Sequence, residues 1–175
     1  MKLVPFILVA VAVAASAALA APGDQGKSPA QVCKTELATL GAANFRSLYS
    51  PGGSGANAMG KCVSKHARAA AANRTNAAKA CRAELAMLEA EFRATHGGMS
   101  FAEFYGKNRN DRNAFGKCVS SKAQAAAAQQ EAKLMNAAKA CKAERAADRA
   151  AFTAKYGGKA ASAFGKCVSS KSKQQ

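Results

Sequence analysis

The chain has 175 residues, with 26 Lys and Arg against 10 Asp and Glu, a net charge of +16. Aromatic residues make up only 6% and there is no tryptophan, which excludes a large aromatic core. So positive a balance implies attraction to polyanions in general (envelope polymers, anionic head groups, nucleic acid) without choosing among them.

Met1-Lys2 is followed by an uncharged, largely apolar run from Leu3 to Ala21 that ends in small residues. One basic residue, an apolar stretch and an Ala18-Leu19-Ala20 ending form the layout of a secretory signal peptide, residues 1–20, cleaved after Ala20, with Ala21 as the second choice. The rival reading is an uncleaved anchor, because the run is about as long as a membrane span. No cysteine stands at the cut for lipid attachment, and no second apolar run follows. The remaining 155 residues carry 25 basic and 10 acidic side chains, a balance of +15, and all six cysteines. In an exported chain the default for six cysteines is three disulfides.

Residues 21–27 read as a short disordered arm. Three units follow, at 28–75, 76–135 and 136–175, each bearing two cysteine motifs. The first is Val32-Cys33-Lys34-Thr35-Glu36, Ala80-Cys81-Arg82-Ala83-Glu84 and Ala140-Cys141-Lys142-Ala143-Glu144. The second is Asn57-Ala58-Met59-Gly60-Lys61-Cys62-Val63-Ser64, Asn113-Ala114-Phe115-Gly116-Lys117-Cys118-Val119-Ser120 and Ser162-Ala163-Phe164-Gly165-Lys166-Cys167-Val168-Ser169. Ser28, Asn76 and Asn136 stand five residues before the first cysteine of each unit. Asn57, Asn113 and Ser162 stand five before the second. Ser, Asn and the Ser28-Pro29-Ala30-Gln31 capping box are helix-start signals, so the spacing predicts two helices per unit, A and B, each with a cysteine in its second turn.

Helix A is expected to break before an aromatic segment, near Gly41 in the first unit and at Asp148, which caps a fresh short helix, in the third. The closing pattern is Phe45…Tyr49, Phe92…His96 and Phe152…Tyr156, followed by glycine suited to a left-handed C-cap. The second unit carries another candidate, Phe101…Tyr105-Gly106, and the alignment there is not unique. Helix B runs into alanine, Ala67–Ala72 and Ala123–Ala132, read as lightly packed helical spacers. Asn73-Arg74-Thr75 matches a glycosylation sequon and is taken as chance.

Units of this size rarely stabilise themselves by burial alone, whereas a disulfide closing roughly 30 residues contributes on the order of 3 kcal/mol. The simplest connectivity is Cys33–Cys62, Cys81–Cys118 and Cys141–Cys167. Two unbroken antiparallel helices would set these cysteines at opposite ends, and a Cys33–Cys81 link is the alternative. Gly60, Gly116 and Gly165 point to close backbone approach between helices B and A, with Phe115, Phe164 and Met59 as core anchors.

For catalysis the residues are poor. His66 and His96 are the only histidines, and neither recurs as histidine in another unit. Glu36, Glu84 and Glu144 recur without a second acid, and an ion pair with Lys61, Lys117 and Lys166 is the expected use. No Ser–His–Asp arrangement, phosphate loop or zinc motif occurs, and no C-x-x-C, so no enzyme activity, cofactor or metal is expected. Recurring cations are the remaining candidates for binding: Lys34, Arg82 and Lys142; Lys61, Lys117 and Lys166; and Lys122 and Lys171, at the position of His66. The three units carry +5, +3 and +7. Aromatic–basic interleaving of the RNA-binding type is missing, which argues against nucleic acid, and alanine gives too little apolar surface for membrane disruption.

The tripled blocks resemble those of alanine-rich, cysteine-containing secreted repeat proteins of high-GC bacteria, over residues 28–171. The resemblance implies export from a bacterium and brings no ligand or activity. The expectation is therefore an all-α array of three small helical repeats, each closed by a disulfide and joined by Ala-rich helical spacers. Its expected role is non-catalytic binding of anionic envelope or matrix polymers. The alternative is a protein–protein interaction module or spacer.

Overall fold

Ser28 opens the first helix with its own side chain. In the computed structural model, which describes residues 26–52, 55–106, 113–157 and 159–175, the Ser28 hydroxyl accepts from the Gln31 N–H at 3.3 Å. The Ser28 N–H donates to the Gln31 side chain at 2.8 Å. With Pro29 at the first helical position, this capping box starts α1 (Pro29–Leu40). Gly41, at φ 79°, ends it in a conformation that a Cβ disfavours, and α2 (Ala42–Tyr49) follows. The rest of the chain forms α3 (Ala58–Leu85), α4 (Glu89–Thr95), α5 (Phe101–Gly106), α6 (Ala114–Ala147), α7 (Arg149–Tyr156) and α8 (Ala160–Ser172). Among the described residues there is no strand. The expected signal segment, 1–20, and the first five residues of the expected arm lie outside the described residues. Lys27, at the arm's end, lies 3.5 Å from Glu131 on α6.

The break before the aromatic segment is present in every unit. It falls at Gly41, between Leu85 and Glu89, and at Asp148, whose carboxylate accepts from the Ala151 N–H at 2.9 Å and starts α7. The breaks carry the chain back, so the intra-unit disulfides form: Cys33–Cys62, Cys81–Cys118 and Cys141–Cys167, each with Cα atoms 6.0 Å apart. All six cysteines are used.

Several expected helix starts are corrected. Asn76 and Asn136 do not cap helices; they lie inside α3 and α6. Alanine and lysine on both sides favour helix, and one Asn costs too little to stop it. Helix B of one unit therefore continues unbroken into helix A of the next, and the unit cuts at 75/76 and 135/136 fall within continuous helices. Asn57 and Asn113 do occupy N-cap positions, but neither side chain makes a capping bond, and Asn113 is left-handed at φ 78°. Ser162 lies inside α8, which begins two residues earlier.

The two long helices set the shape. At 1.5 Å per residue, α3 is about 42 Å long and α6 about 51 Å. They pack along one another in opposite directions: residue 81 bonds to 118 near one end, and 73 meets 130 further along. The second unit, with α4 and α5, sits at the tip of this hairpin. The first and third units meet at its base, where α2 packs on α8. They share one core that includes Leu40, Phe45, Phe152, Phe164 and Val168. The array is thus folded back on itself.

Between base and tip the helices touch mainly through alanine. Ala77 is buried, and Asn73, at 6% exposure, exchanges two hydrogen bonds with Gln130, at 3.2 and 3.1 Å. The amide of the sequon is therefore held in a helix–helix contact.

Candidate functional site

Each disulfide is accompanied by a carboxylate, a tyrosine and a base. Glutamate stands three residues after the first cysteine, on the same helical face, and the base stands four residues after the second, again on the cysteine's face. The aromatic segment brings in the tyrosine. In the first unit Glu36 Oε2 accepts from the Tyr49 hydroxyl at 2.5 Å, and Glu36 Oε1 lies 2.9 Å from His66 Nε2. In the second, Tyr105 donates to Glu84 at 2.8 Å and Lys122 lies 2.7 Å from it. In the third, the Tyr156 hydroxyl is 3.2 Å from both oxygens of Glu144, with Lys155 at 2.7 Å and Lys171 at 3.2 Å.

These triads correct the expected ion pairs. Lys61, Lys117 and Lys166 do not hold the glutamates; His66, Lys122 and Lys171 do. The triads also settle the alignment of the second unit. The Phe101 and Tyr105 rings stand 4.9 Å apart at 52°, close to Phe45–Tyr49 (4.9 Å, 50°) and Phe152–Tyr156 (4.9 Å, 51°). Phe92 and His96 instead stack in parallel at 3.8 Å. The closing motif is doubled; its second copy is the repeat, and α4 is an insertion whose Phe92 fills the core of the tip.

Burial of the carboxylate differs between units. Its side-chain exposure is 0% for Glu36, 20% for Glu84 and 27% for Glu144. Burial, then the bond to Glu36 and the charge of Glu36, push the Tyr49 phenol far above its ordinary range. Burial and the Glu84 bond raise Tyr105 in the same direction. For Lys122, burial opposes the charge, but the Glu84 bond and neighbouring charges outweigh it and raise its pKa. The Lys155 hydrogen bond holds the Glu144 carboxyl below the usual range. Cys33, Cys62 and His66 lie within metal-ligand distance of one another, but disulfide sulfurs offer no thiolate.

The expected binding residues divide. Lys122 and Lys171 belong to the triads. Lys117 donates to the Gly106 carbonyl, and Lys142 donates at 3.0 Å to the Thr39 carbonyl in the last turn of α1, across the join of first and third units. Lys34, Lys61, Arg82 and Lys166 are exposed. Each disulfide is nevertheless flanked by two cations, one after its first cysteine and one before its second. With bonded Cα atoms 6.0 Å apart, the flanking Cα atoms of each pair lie within about 14 Å.

The recurring glycines also divide. Only Gly165 makes a close approach, to the Ser47 backbone on α2, and its N–H donates to Ser47 Oγ at 3.2 Å. Gly60 and Gly116 face open space. Phe164 is fully buried, Phe115 half-buried, and Met59, expected as a core anchor, is 36% exposed. The third unit's motif is covered by the first unit, and the other two copies have no such cover.

Fold and site together define a three-fold repeat of a disulfide-closed helical unit with a carboxylate–tyrosine–base triad beside each sulfur bridge. No family model, no curated relative and no solved structure matches the chain.

Proposed function

We propose that this chain is a secreted, non-catalytic cationic protein that binds anionic polymers of the cell envelope or extracellular matrix. The observation that carries this reading is how its acids are used. Residues 26–83 and 113–175 hold 21 Lys and Arg against four acids, a balance of +17. All four acids have a partner within the chain. Glu36 and Glu144 sit in triads, Glu131 meets Lys27, and Asp148 caps α7. The surface of this body therefore faces a ligand with cations that few carboxylates offset. Export is supported by the three disulfides, which persist in oxidising compartments, and by the layout of residues 1–20. Among the described residues, no helix is long and apolar enough to cross a membrane.

The test is retention on a sulfated polysaccharide column over a salt series. Every cation withdrawn from the polymer's anionic groups lowers the slope of log affinity against log salt by about 1. The variant K34A/K61A/R82A/K166A removes four exposed cations and should lower that slope by about 2 to 4. Lys122→Gln and Lys171→Gln, which disturb triads, should change stability and leave the slope almost unaltered. An unchanged slope in the fourfold variant sinks the assignment of these residues. No retention of the parent chain at low salt sinks the reading itself.

A further inference from the structure

Of the three triads, only the first has a metal-binding side chain as its base. Cys33 and Glu36 stand three residues apart on α1, and Cys62 and His66 four apart on α3, so each helix presents two donors on one face. The ligand atoms of Cys33, Cys62 and His66 all lie within 4.8 Å of one another. Glu36 completes the group: its Oε2 lies 3.5 Å from Cys62 Sγ and its Oε1 2.9 Å from His66 Nε2. In the second and third units Lys122 and Lys171 take the place of His66, and an ammonium group has no lone pair to give.

Two sulfurs, an imidazole and a carboxylate are the side-chain types from which four-coordinate zinc sites are built. Bonds of about 2.0 Å to nitrogen or oxygen and about 2.3 Å to sulfur set tetrahedral ligands roughly 3.3–3.8 Å apart. The two Glu36 contacts are close to that spacing. Bridged sulfurs stand about 2 Å apart, so the freed thiolates have to part to about 3.8 Å to share one zinc. Rotation about Cα–Cβ supplies this on helices whose cysteine Cα atoms are 6.0 Å apart. Cys33, Cys62 and Glu36 are fully buried, which keeps water out. The Tyr49 hydroxyl donates to Glu36 Oε2 and fixes the carboxylate from outside the group. His66, with its side chain 20% exposed, is the side open to solvent.

We propose that the first unit, before its bridge forms, binds a single Zn2+ through Cys33, Cys62, His66 and Glu36. In an exported chain that state precedes the bridge, because thiols stay reduced in the cytosol and are joined only after export. Binding forms two Zn–S bonds and releases the thiol protons to solvent, and no electron is transferred. Metal and bridge are alternatives, since a bonded sulfur offers no thiolate. Bound zinc therefore holds Cys33 and Cys62 as a pair, out of exchange with the other four cysteines. The site stands on the geometry of the first triad and is independent of polyanion binding.

Cobalt titration of the full chain, reduced with a phosphine and kept free of oxygen, tests this. One equivalent of Co2+ should bring up thiolate charge-transfer and tetrahedral d–d bands, and Zn2+ should then bleach them. The oxidised chain should show neither. His66→Lys, which installs the base of the other two units, and Cys33→Ser should each weaken Co2+ binding by at least about 100-fold, the upper end of what loss of a mere outer-shell partner costs. Cys81→Ala, in the tip, should leave the bands and the stoichiometry unchanged. A reduced parent without the bands, three equivalents bound, bands in the oxidised chain, loss of the bands in Cys81→Ala, or a smaller weakening in either ligand variant would overturn the proposal.

Discussion

Glu36 is the most demanding single residue in the chain. A buried carboxylate needs donors, and it has two, Tyr49 and His66. Removing one in Tyr49→Phe leaves an acceptor short, and thermal denaturation should show a loss of about 1–3 kcal/mol. Tyr156→Phe, beside the more exposed Glu144 and its two lysines, should cost less. The Tyr49 phenol is shifted upward by burial first and by Glu36 second. The folded state therefore favours the neutral phenol. That contribution is complete below about pH 10, where phenol ionises in the unfolded chain, and is lost as the pH rises further. Alkaline titration followed at the phenolate band should show Tyr49 ionising only together with unfolding. His66 stands where the other units have Lys122 and Lys171. The triad was almost legible in the sequence. Glu36, Glu84 and Glu144 were visible as a recurrence, and so was the shared position of His66, Lys122 and Lys171. Helix phase decides the pairing: four residues after a cysteine lies on its face, whereas one residue before it, at Lys61, Lys117 or Lys166, is turned about 100° away.

At the scale of helices, the capping box at Ser28, the break at Gly41 and the cap at Asp148 were all readable, because each rests on local chemistry. The continuity of α3 and α6 was not. Asn76 and Asn136 look like Ser28 in spacing, but a cap forms only where the chain also turns, and no glycine or proline adjoins them to make it turn. The glycines of the tripled motif were legible as a recurrence, but their meaning was not, since identical sequence meets three different surroundings. Substitution separates them. Gly60 and Gly116 lie in helix and face open space, so Gly60→Ala and Gly116→Ala should each stabilise by up to about 1 kcal/mol. At Gly165 the new methyl meets the Ser47 carbonyl and its neighbours, backbone atoms that cannot rotate aside. Gly165→Ala should therefore destabilise by about 1–3 kcal/mol through overpacking, despite the gain in helix propensity. Opposite signs for the same substitution in the same motif, read by thermal melts, check that α8 on α2 is the closure of the base.

The whole molecule is a hairpin with unequal ends, and this could not be read from a repeat. Spacing fixes what each unit does internally, and it correctly paired the six cysteines. It says nothing about which units meet, because contact between the first and third depends on the antiparallel return of α6 along α3. That return rests on small side chains and the Asn73–Gln130 pair, a weak signal in a run of alanine. The consequence is unequal support. The disulfides Cys33–Cys62 and Cys141–Cys167 are embedded in one shared core, whereas Cys81–Cys118 closes a tip whose core is Phe92 with the rings of Phe101, Phe104 and Tyr105. The tip bridge spans 37 residues. In the chain-entropy model such a bridge contributes about 4 kcal/mol, comparable with the stability of a whole small domain. Replacing Cys81 and Cys118 together by Ala should open residues 86–106 while the base stays folded, since its core and its two bridges are untouched. Limited proteolysis should then cut the variant within that stretch and leave fragments carrying the other two disulfides intact. Amide exchange should lose protection in α4 and α5 and in the first turns of α6, and keep it in α1, α2 and α8. Loss of protection everywhere at once would mean that α3 and α6 couple the ends into a single cooperative unit, which their alanine contact is too thin to do.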